Sequence, residues 1–559
     1  MGKTQIQKAL EKLNLDFESI PDTKTAASVR ILLNLVEVLA HQNEELRSDN
    51  QALRDEINRL KGEQGKPDIR EQSKNKESND TDHSSEKERN KDLKKNPRKP
   101  KRKKKGMIKV DKIVKCEIDK NSLPSDATLK YYKKRLIQDI EIQTNNIEFW
   151  QPVYYSPSLK KTFVAPLPQG YQGEFGPGIR SLVISLNRDS GMTESAIKRF
   201  LETFDIHISN STISVMLTEN HDVFHAEKED IYKAAREANP YQHMDDTGCR
   251  VKGKNQYAHI LCNPYCTVYF TRPQKDRLTL LQILCHEDLK FVFNEKTYSL
   301  LKESGMSNKC YEKVKNEIPE GSYLPEEFSD ILKQLFPDPH KQKTNRNLVS
   351  EAAALVYYED SPYMLDFLIS DDAPQFNKIS KHKGACWVHE GRHYKKLNPI
   401  VPLHREFLDH FLERFWDYYV SLLAYKETPT EDKALILSKE FDNLFGTKTG
   451  YEELDKRIFM TLTKKSTLLL VLEFPFLMLH NNPAELGARA QARMRDINLH
   501  TMSENGTKAK DTFATIVQTA RKLGVNIYQY LYDRMSQEYK MPSLASIITD
   551  RSKSQSIIS

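Results

Sequence analysis

Three short acidic motifs lie far apart in this sequence of 559 residues and carry the residue types that phosphoryl-transfer chemistry needs. They are HMDDTG with Asp245, LISDD with Asp371 and HNNPAE with Glu485. Carboxylate oxygens suit the hard cation Mg²⁺, and two such ions can clamp the attacking and leaving oxygens of an in-line displacement. Singly, each acid would be an ordinary residue at the end of a strand or helix. Together they favour a two-metal catalytic site.

The segments around the three acids indicate how each would be positioned. Asp245 and Asp371 each follow a short apolar run, as when a strand delivers an acid to the rim of a sheet. Asn482 is a good N-cap and the proline after it suits the first helical position, which puts Glu485 on the first turn of a helix. Arg489 lies four residues later on the same face, where it holds Glu485, contacts a DNA phosphate or forms a plain surface ion pair.

Four strings around these acids resemble the DDE transposases of the insertion sequence 66 family, whose catalytic domain has an RNase H-like fold. The strings are MDDTG at 244–248, ISDD at 369–372, CWVHEGR at 386–392 and HNNPAELGAR at 480–489, and the segment FGPGIRSLVISL at 175–186 matches as well. The resemblance extends from about Phe175 to about Tyr530. The chain departs from the family in carrying only Cys116 where a cysteine-rich finger is common upstream, and in a long interval between the aspartates that implies an insertion near 286–350.

The resemblance implies a role for each acid. Asp245, Asp371 and Glu485 would be the catalytic residues and the ligands of two Mg²⁺ or Mn²⁺ ions. Neighbouring residues on a strand point to opposite faces, so at most one aspartate of each doubled pair can reach the metals. The family pattern selects the first of each pair, which leaves Asp246 and Asp372 outside the metal ligands. These two acids and Asn482 are candidates to support the metal ligands or to contact DNA.

The CWVHEGR string contains residue types that also bind zinc. Cys386 and His389 could supply two ligands, with His382 and His393 nearby. No matching pair is evident elsewhere in the sequence, and we therefore expect no zinc. The resemblance implies that His389 and Arg392 face the active site or DNA, while Cys386 and the tryptophan after it pack a helix onto the sheet.

Composition limits the classes of protein to which the chain can belong. At 559 residues it exceeds one hydrophobic core, and three or four modules are expected. The longest apolar stretch, 468–479, contains Glu473 and Pro475 and is far shorter than the ~20 residues that a bilayer requires. Seven scattered cysteines without a Cys-x-x-Cys pair fit a reducing compartment. With no signal peptide evident, we expect a cytoplasmic protein without a membrane partner, associated with the nucleoid if it is bacterial.

The segment 29–60 has a heptad repeat. Valine, asparagine and isoleucine fill one core position, and leucines seven residues apart fill the other: Leu32, Leu39, Leu46, Leu53 and Leu60. This pattern predicts a parallel two-stranded coiled coil, and hence a homodimer through residues 29–60. The alternative is an amphipathic helix that packs on its own protein.

The segment 63–106 has almost no aliphatic residues and is predicted to be a disordered basic linker. Near its end lies a dense cluster of positive charge: Lys101, Arg102, Lys103, Lys104 and Lys105. Such a cluster attracts a polyanion through salt-sensitive contacts, and we expect it to bind DNA. A solubilising tail or, in a eukaryote, a nuclear address are the alternatives.

Residues 177–218 are predicted to be helical and to end in a helix-turn-helix. MTESAI begins one helix and SNSTIS begins a second, with a break between them. Asn210, Ser211 and Thr212 would open the recognition helix in the major groove of DNA. Any two short helices joined by a turn give the same pattern, so a purely structural pair is the alternative.

The central part of the chain is predicted to be a mixed α/β fold. Three short strands form a meander that begins an RNase H-like sheet: 242–246, 256–261 and 267–271. A later strand, 365–370, ends at Asp371, and helix-periodic residues predict a helical insertion before Glu485. The predicted division begins with a coiled coil (1–62), a basic linker (63–106) and a small module of unknown role (107–170) with a strand-like run at 108–118. A helix-turn-helix-like region (171–235) and an RNase H-like domain (236–500) follow, and the latter has insertions near 286–350 and 386–478. C-terminal helices that include 511–535 complete the division (501–559).

From the acids and the resemblance we expect a DNA transposase. Such an enzyme uses bound metal to cleave at the ends of its own element and joins the exposed 3′-hydroxyl to target DNA. Its partners would be double-stranded DNA, as terminal inverted repeats and as target, and the need for accessory proteins of the same element is open. The alternatives are an inactive or repurposed transposase that acts as a dimeric DNA-binding protein, and a Mg²⁺-dependent nuclease of RNase H-like fold.

Overall fold

The structure, a computed structural model, describes residue 10 and residues 23–60, 110–116, 118, 124, 127, 130–239 and 241–556. The linker predicted at 63–106, with its cluster from Lys101 to Lys105, lies outside the described residues. Within the described part, the chain is mixed α/β, with a five-stranded mixed sheet among many helices. In that part, no helix is both long enough and apolar enough to cross a membrane.

The N-terminal helix α1 runs from Thr23 to Leu60 as one element, which confirms the helix predicted at 29–60. One face of α1 packs on the body of the protein, where Asn34 and Glu37 are buried. The Asn34 side chain donates a hydrogen bond to Gly450 O (3.1 Å). The buried face of α1 therefore fits the alternative prediction, in which the helix packs on its own protein.

The heptad leucines lie on another side of α1. Leu32, Leu39, Leu46 and Leu53 are between 57% and 61% exposed, and Ile31 beside them is exposed as well. The helix thus combines one face buried against its own protein with an apolar face directed to solvent.

After α1 come a short hairpin and a group of helices. The hairpin pairs β1 (Val153–Ser156) with β2 (Lys161–Val164), and the helices are α2 (Pro177–Ile184), which continues into a π-helical turn at Ser185–Asp189, α3 (Glu194–Glu202), α4 (Asn210–Thr218) and α5 (Asp222–Ala238). Thr193 and Ser209 cap α3 and α4, because each side chain accepts the backbone N–H three residues later, at 3.2 and 3.0 Å. The two helices and the break predicted between them are confirmed.

The strand-like run predicted at 108–118 is wrong where the structure describes it. Residues 110–116 have no regular secondary structure. A strand needs a partner strand or a buried face to be stable, and here the apolar side chains of Val110, Ile113 and Val114 face solvent.

The central part of the chain combines strands with helices. In chain order, its elements are β3 (Tyr241–Val251), β4 (Lys254–Cys262), β5 (Thr267–Arg272), α6 (Arg277–Cys285), β6 (Phe291–Phe293), α7 (Glu295–Glu303), α8 (Asn308–Glu317), β7 (Gly321–Tyr323), α9 (Pro325–Leu335), α10 (Lys343–Glu359), β8 (Leu365–Ser370) and β9 (Ser380–Ala385). The predicted meander strands and the predicted strand 365–370 are confirmed. Strands β6 and β7 form a separate two-stranded sheet within the insertion predicted near 286–350.

The large sheet has the strand order β5-β4-β3-β8-β9. β3, β4 and β5 are antiparallel neighbours, whereas β8 runs parallel to β3 and β9 runs parallel to β8. Antiparallel neighbours need only short turns, but the parallel step to β8 requires a long crossover, which the segment with α6–α10 provides. Strand β3 therefore lies at the centre of the sheet, between strands from two separate parts of the chain.

The rest of the described chain is helical. Its helices are α11 (Trp387–Lys396), α12 (Pro402–Glu427), α13 (Glu431–Phe445), α14 (Glu452–Leu462), the short α15 (Lys465–Leu468) and α16 (Leu470–Glu473), α17 (Asn482–Asn498), α18 (Glu504–Leu523), α19 (Ile527–Met535) and α20 (Leu544–Ser556). The helical insertion predicted before Glu485 is confirmed as secondary structure. The stretch predicted at 511–535 is interrupted, because Gly524 adopts a left-handed backbone (φ +67°) that ends α18.

Two large groups and one small group of buried hydrophobic side chains hold these elements together. The larger group lies between the sheet, helices α2–α10 and helices α18–α20. The second fills α11–α14 around Trp387. The indole N–H of Trp387 donates to Leu468 O and its backbone N–H donates to Leu479 O, both at 2.9 Å. Trp387 thus ties the helical insertion to the segment that leads into α17.

Glu37 joins α1 to the start of α12. Its carboxylate accepts the backbone N–H groups of Ile400 and Val401, each at 2.8 Å, and the His404 ring lies 3.3 Å away. Burial acts to raise the pKa of Glu37, but the hydrogen bonds from His404, Val401 and Ile400 outweigh it and hold the pKa below its usual value. The anion also complements the positive end of the α12 dipole.

The outer strand β5 is covered by a helix instead of another strand. Its backbone N–H groups donate to side chains of α18: Thr267 to Thr519 Oγ1 (3.3 Å), Tyr269 to Thr515 Oγ1 (3.2 Å) and Thr271 to Asp511 Oδ2 (2.6 Å). Four helical residues rise about 6 Å and two strand residues about 6.7 Å, so acceptors at every fourth position match donors at every second position. This edge of the sheet is thereby closed to pairing with another strand.

Replacing Thr515 by valine tests this cover. The change keeps the shape of the side chain but removes the acceptor for the buried N–H of Tyr269. We expect the free energy of unfolding, measured by chemical denaturation, to fall by about 1–3 kcal/mol, the cost of a buried donor left without a partner. The matched control is Thr507→Val, because Thr507 Oγ1 donates within its own helix to Ser503 O (2.9 Å). Equal losses in the two variants would contradict the role of Thr515 at the strand edge.

Candidate active site

The parallel pairing of β3 with β8 brings two of the predicted acids together. Tyr241, Gln242 and His243 lie opposite Phe367, Leu368 and Ile369. Continuing this register by two residues places Asp371, the first residue after β8, level with Asp245. Partners in a parallel pair point to the same face of a sheet, so the two carboxylates lie on one side of it.

Helix α17 packs on that same face of the sheet. Asp245 pairs with Ile260 across β3 and β4, and a Cβ on Gly487 would lie 2.8 Å from Ile260 Cγ2. The Tyr269 hydroxyl donates to Gly487 O (3.1 Å). Glycine permits this close approach of helix to sheet, and the approach brings Glu485 to the two aspartates.

The three predicted catalytic acids line one pocket of about 270 Å³. Its lining residues are Asp245, Asp371, Glu485, His389, Arg392, Asn481 and Arg489. Three residues predicted to lie near the acids, His389, Arg392 and Arg489, are therefore gathered there as well. The predicted Asn482 is replaced in the lining by its neighbour Asn481.

The Glu485 carboxylate is held by Arg392. Nη1 of Arg392 donates to Oε1 (3.0 Å) and Nη2 donates to Oε2 (2.7 Å), which forms a bidentate pair between α11 and α17. Sequence spacing offers Arg489 for this role, one helical turn after Glu485. Arg489 lines the pocket, but the guanidinium paired with Glu485 belongs to Arg392.

Asn481 fastens α17 to the strand that carries Asp245. Its Nδ2 donates to Met244 O (2.7 Å), and its Oδ1 lies 3.2 Å from His243 Nδ1. Asn481 also precedes the first residue of α17, so the predicted N-cap at Asn482 is wrong by one position. The two asparagines of HNNPAE indicate in the sequence that a helix begins there, but packing on the sheet decides which of them directly precedes the helix.

The second aspartate of each doubled pair points to other partners. Asp246 accepts a hydrogen bond from Gln375 Nε2 (2.9 Å) and lies 3.7 Å from Lys275 Nζ. Asp372 forms an ion pair with Lys464 Nζ (2.5 Å) on the helical insertion. The alternation of side chains along a strand accounts for the separation of Asp246 from Asp245.

The CWVHEGR string forms a structural joint beside the pocket. Cys386 is buried, and its sulfur accepts the backbone N–H groups of His389 (3.4 Å) and Asn481 (3.2 Å). Trp387 is also buried, so the predicted burial of both residues is confirmed, and the Trp387 ring packs against helices α12 and α13. His382 lies on β9, where its ring stacks on a phenylalanine. Across the described residues, no group of three or more His, Cys, Asp and Glu side chains has the geometry of a metal site.

Burial and repulsion between like charges perturb the acids. Burial raises the pKa of Asp245 to about 7. The charges of Asp371, Asp246 and Glu485 add to this rise, whereas the backbone N–H of Asp246, which donates to Asp245 Oδ1 (2.8 Å), opposes it. Burial also lowers the pKa of His389, and the attraction of Asp371 opposes this shift.

Lys383 is a neighbour of the acids that the sequence prediction missed. It lies on β9, and its Nζ donates to Asn377 Oδ1 (2.7 Å). Burial lowers the pKa of Lys383, and the charges of Asp372 and Asp371 oppose that shift. The sequence did contain a sign of Lys383, because Lys381 and Lys383 occupy alternate positions of one strand and therefore share a face.

The residues predicted to read DNA lie at the start of α4. Asn210 and Ser211 are exposed. Thr212 is half-buried, and its hydroxyl lies 2.8 Å from that of Ser209, the N-cap. Ile213 is buried on the opposite face. Helix α4 therefore packs by one face and presents the other side of its first turn to solvent.

The chain is similar to a bacterial protein of about the length of the matched region. That relative, from Sinorhizobium fredii strain NBRC 101917 / NGR234, is described as the uncharacterized protein y4jO and shares 29% identity over 297 residues. The similar region covers 53% of this chain and 92% of that protein. No protein-family model matches the chain. The name of this relative assigns no activity to it.

The donor set of the pocket fits divalent cations. Carboxylate oxygens are the ligands that Mg²⁺ and Mn²⁺ prefer. Burial and the neighbouring carboxylates disfavour the anion of Asp245, and a bound cation would reverse that preference. Asp245, Asp371 and Glu485 are the residues that would hold such ions.

The raised pKa of Asp245 predicts a pH-dependent effect of Asp245→Asn on stability. The folded state binds this proton more tightly than the unfolded state, so the stability that the carboxyl contributes at low pH is lost as pH rises through about 7. Asparagine is neutral at every pH. Without metal at pH 8, we expect its free energy of unfolding to exceed that of the wild type by up to about 4 kcal/mol, and the difference to shrink toward pH 5.

Thermal denaturation with a chelator, at several pH values, measures this difference. Asp372→Asn is the control, because the Asp372 side chain is 47% exposed and paired with Lys464. A gain for Asp245→Asn that stayed constant between pH 5 and pH 8 would contradict the assignment.

Proposed function

We propose that the protein is a DDE transposase similar to the insertion sequence 66 family, which cleaves at the ends of its own element and joins them to target DNA. The observation that carries the proposal is the convergence of Asp245, Asp371 and Glu485 on one pocket. Strand β3, the end of β8 and the start of α17 supply one acid each. Acids from three distant segments that meet in this way support a shared chemical role.

The sheet supports an RNase H-like catalytic domain as part of this proposal. An antiparallel meander followed by two parallel strands, in the order β5-β4-β3-β8-β9, is the arrangement expected of that fold. The helices α12–α16 between Asp371 and Glu485 agree with the helical insertion that the family resemblance implies. Since a fold hosts many functions, the acids carry the proposal and the sheet only supports it.

Both reactions of a transposase are in-line displacements at phosphorus. First, water attacks the phosphodiester at the end of the element, and the 3′-oxygen leaves as a hydroxyl. Second, that hydroxyl attacks a target phosphodiester, and a 3′-oxygen of the target leaves. The two steps share one geometry, so one pocket can serve both. Two divalent cations at the three acids would activate the nucleophile and stabilise the charge that develops on the phosphate oxygens.

Other residues of the pocket suit the handling of a phosphodiester. Arg489 lies one turn after Glu485 and brings a positive charge to the pocket lining. His389 brings to the pocket lining a ring nitrogen that can donate a hydrogen bond to a phosphate oxygen. Asn481 holds α17 against β3 and so fixes the distance between the first and third acids.

The exposed leucines of α1 support pairing with a second copy of the chain. Leu32, Leu39, Leu46 and Leu53 keep the heptad spacing of a parallel coiled coil on a surface that the described part of the chain leaves open to solvent. Because Glu37 anchors α1 on α12, such pairing would hold two catalytic pockets in one assembly, as two ends of an element require. Analytical ultracentrifugation of the full chain, which gives its mass in solution, tests this proposal.

A strand-transfer assay tests the enzymatic proposal. The wild type should join an oligonucleotide of the element's end to plasmid DNA in a reaction that requires Mg²⁺ or Mn²⁺. Asp371→Ala should lower joining by about 10³-fold, because loss of a metal ligand removes several kcal/mol of transition-state stabilisation. Asp372→Ala changes the same residue type one position later and should cost less than about tenfold, because its carboxylate faces Lys464.

Abundant joining by Asp371→Ala would exclude this site. Cleavage without joining by the wild type would identify a nuclease, and DNA binding without either reaction would identify a DNA-binding protein that has lost catalysis.

The lysine cluster and α4 should contribute differently to DNA binding. Neutralising Lys101, Arg102, Lys103, Lys104 and Lys105 should weaken binding to end DNA and random DNA alike and reduce the salt dependence, because phosphate contacts carry no sequence information. Replacing Asn210, Ser211 and Thr212 should instead reduce the preference for end DNA by about 1–3 kcal/mol. Titrations of both variants with both DNAs over a salt series measure the two effects. Loss of sequence preference in the lysine variant alone would contradict this division.

A further inference from the structure

Glu485 is engaged on both of its oxygens by one guanidinium. The two Nη groups of Arg392 each donate to a different oxygen, at 3.0 and 2.7 Å. The side chains are 16% and 33% exposed, so the pair is partly shielded from water. A bidentate, charge-assisted pair of this kind is stronger than a single contact. It takes up one lone pair on each oxygen and so competes with a cation for the carboxylate.

The two aspartates of the pocket are engaged differently. Asp245 Oδ1 accepts the backbone N–H of Asp246 (2.8 Å), and Asp371 Oδ1 accepts that of Ala373 (3.1 Å). Each of these hydrogen bonds uses one carboxylate oxygen and involves a neutral donor. Neither bond places a positive charge where a metal ion would bind. The hydrogen bonds to Glu485 therefore differ from those to the two aspartates in coming from a cationic donor.

We propose that Arg392 is a positioning residue that holds Glu485 until a divalent cation displaces it. Glu485 would then complete the metal site only by exchanging the Arg392 guanidinium for the divalent cation. This inference rests on the function proposed for the pocket.

The exchange predicts a coupling between DNA and metal. A guanidinium released from a carboxylate binds well to another planar or phosphate anion, and a DNA phosphate in the pocket would offer one. DNA would therefore lower the cost of releasing Arg392, and by linkage DNA and cation would each strengthen the binding of the other. The free protein would load metal weakly, which would limit cleavage in the absence of bound DNA.

Binding of Mn²⁺ to the full chain, measured by electron paramagnetic resonance of the free ion, tests the proposal without any reaction. Without DNA, Arg392→Ala should bind Mn²⁺ more tightly than the wild type, on the order of tenfold, because a bidentate ion pair no longer competes. Arg392→Lys should lie between the two, since an ammonium cannot bind both oxygens in the same way. Arg489→Ala is the matched control: it removes the same charge from the same pocket but leaves the pair with Glu485 intact, and we expect a change below about threefold.

Equal tightening in Arg392→Ala and Arg489→Ala would show an effect of charge alone and would overturn the proposal. Unchanged or weaker Mn²⁺ binding in both Arg392 variants, with their metal-free melting curves still cooperative, would overturn it as well. A DNA duplex should tighten Mn²⁺ binding in the wild type more than in Arg392→Ala, and an equal effect in both would refute the coupling. Asp371→Ala distinguishes a failure of the Arg392 exchange from a failure of the metal site. If this variant binds Mn²⁺ as the wild type does, the metal site itself is wrong and the proposed function fails with it.

Discussion

The parallel pairing of β3 with β8 is the contact on which the rest of the protein depends. It joins the meander β3–β5 to the later strands β8 and β9, and it sets Asp371 level with Asp245. A slip of the register by one residue would turn one aspartate to the opposite face of the sheet. Met244, Leu368 and Ile369 are buried, so hydrophobic packing sets the register. The spacing of the two acids is thus a consequence of the core, and the acids themselves, which repel one another, contribute nothing to holding it.

The sequence predicted those features that depend on short segments. The strands around the two aspartates have apolar runs that end in a carboxylate, and the helix of Glu485 has a proline at its start, so the local pattern was sufficient for each. The error at the N-cap has a physical reason: either asparagine could precede the helix locally, but the Asn481 side chain makes no capping hydrogen bond and donates to Met244 O on the sheet instead. Hydrogen bonding across the fold decided between two residues that look alike in sequence.

The features that the sequence did not predict depend on distant partners. Arg392 lies 93 residues before Glu485, and nothing in the spacing indicates that its guanidinium meets that carboxylate. In α1, two apolar stripes overlap on one helix. The heptad leucines conceal the second stripe, which includes Leu33 and Ala40 and packs against the protein. A periodic pattern shows that a helix has apolar residues on one side, but it does not show against how many different surfaces those residues pack.

The cover of β5 by α18 has a consequence for how the chain is made. The acceptors at Asp511, Thr515 and Thr519 lie 240 to 252 residues after the strand donors that they satisfy. On the ribosome, β5 therefore emerges long before its partner, and its open N–H groups remain available to other nascent chains during that interval. Glu485 also emerges late, shortly before α18. The growing polypeptide thus gains the third acid of the pocket and covers the open edge of β5 at nearly the same moment, so incomplete chains would lack a complete pocket and be prone to aggregate.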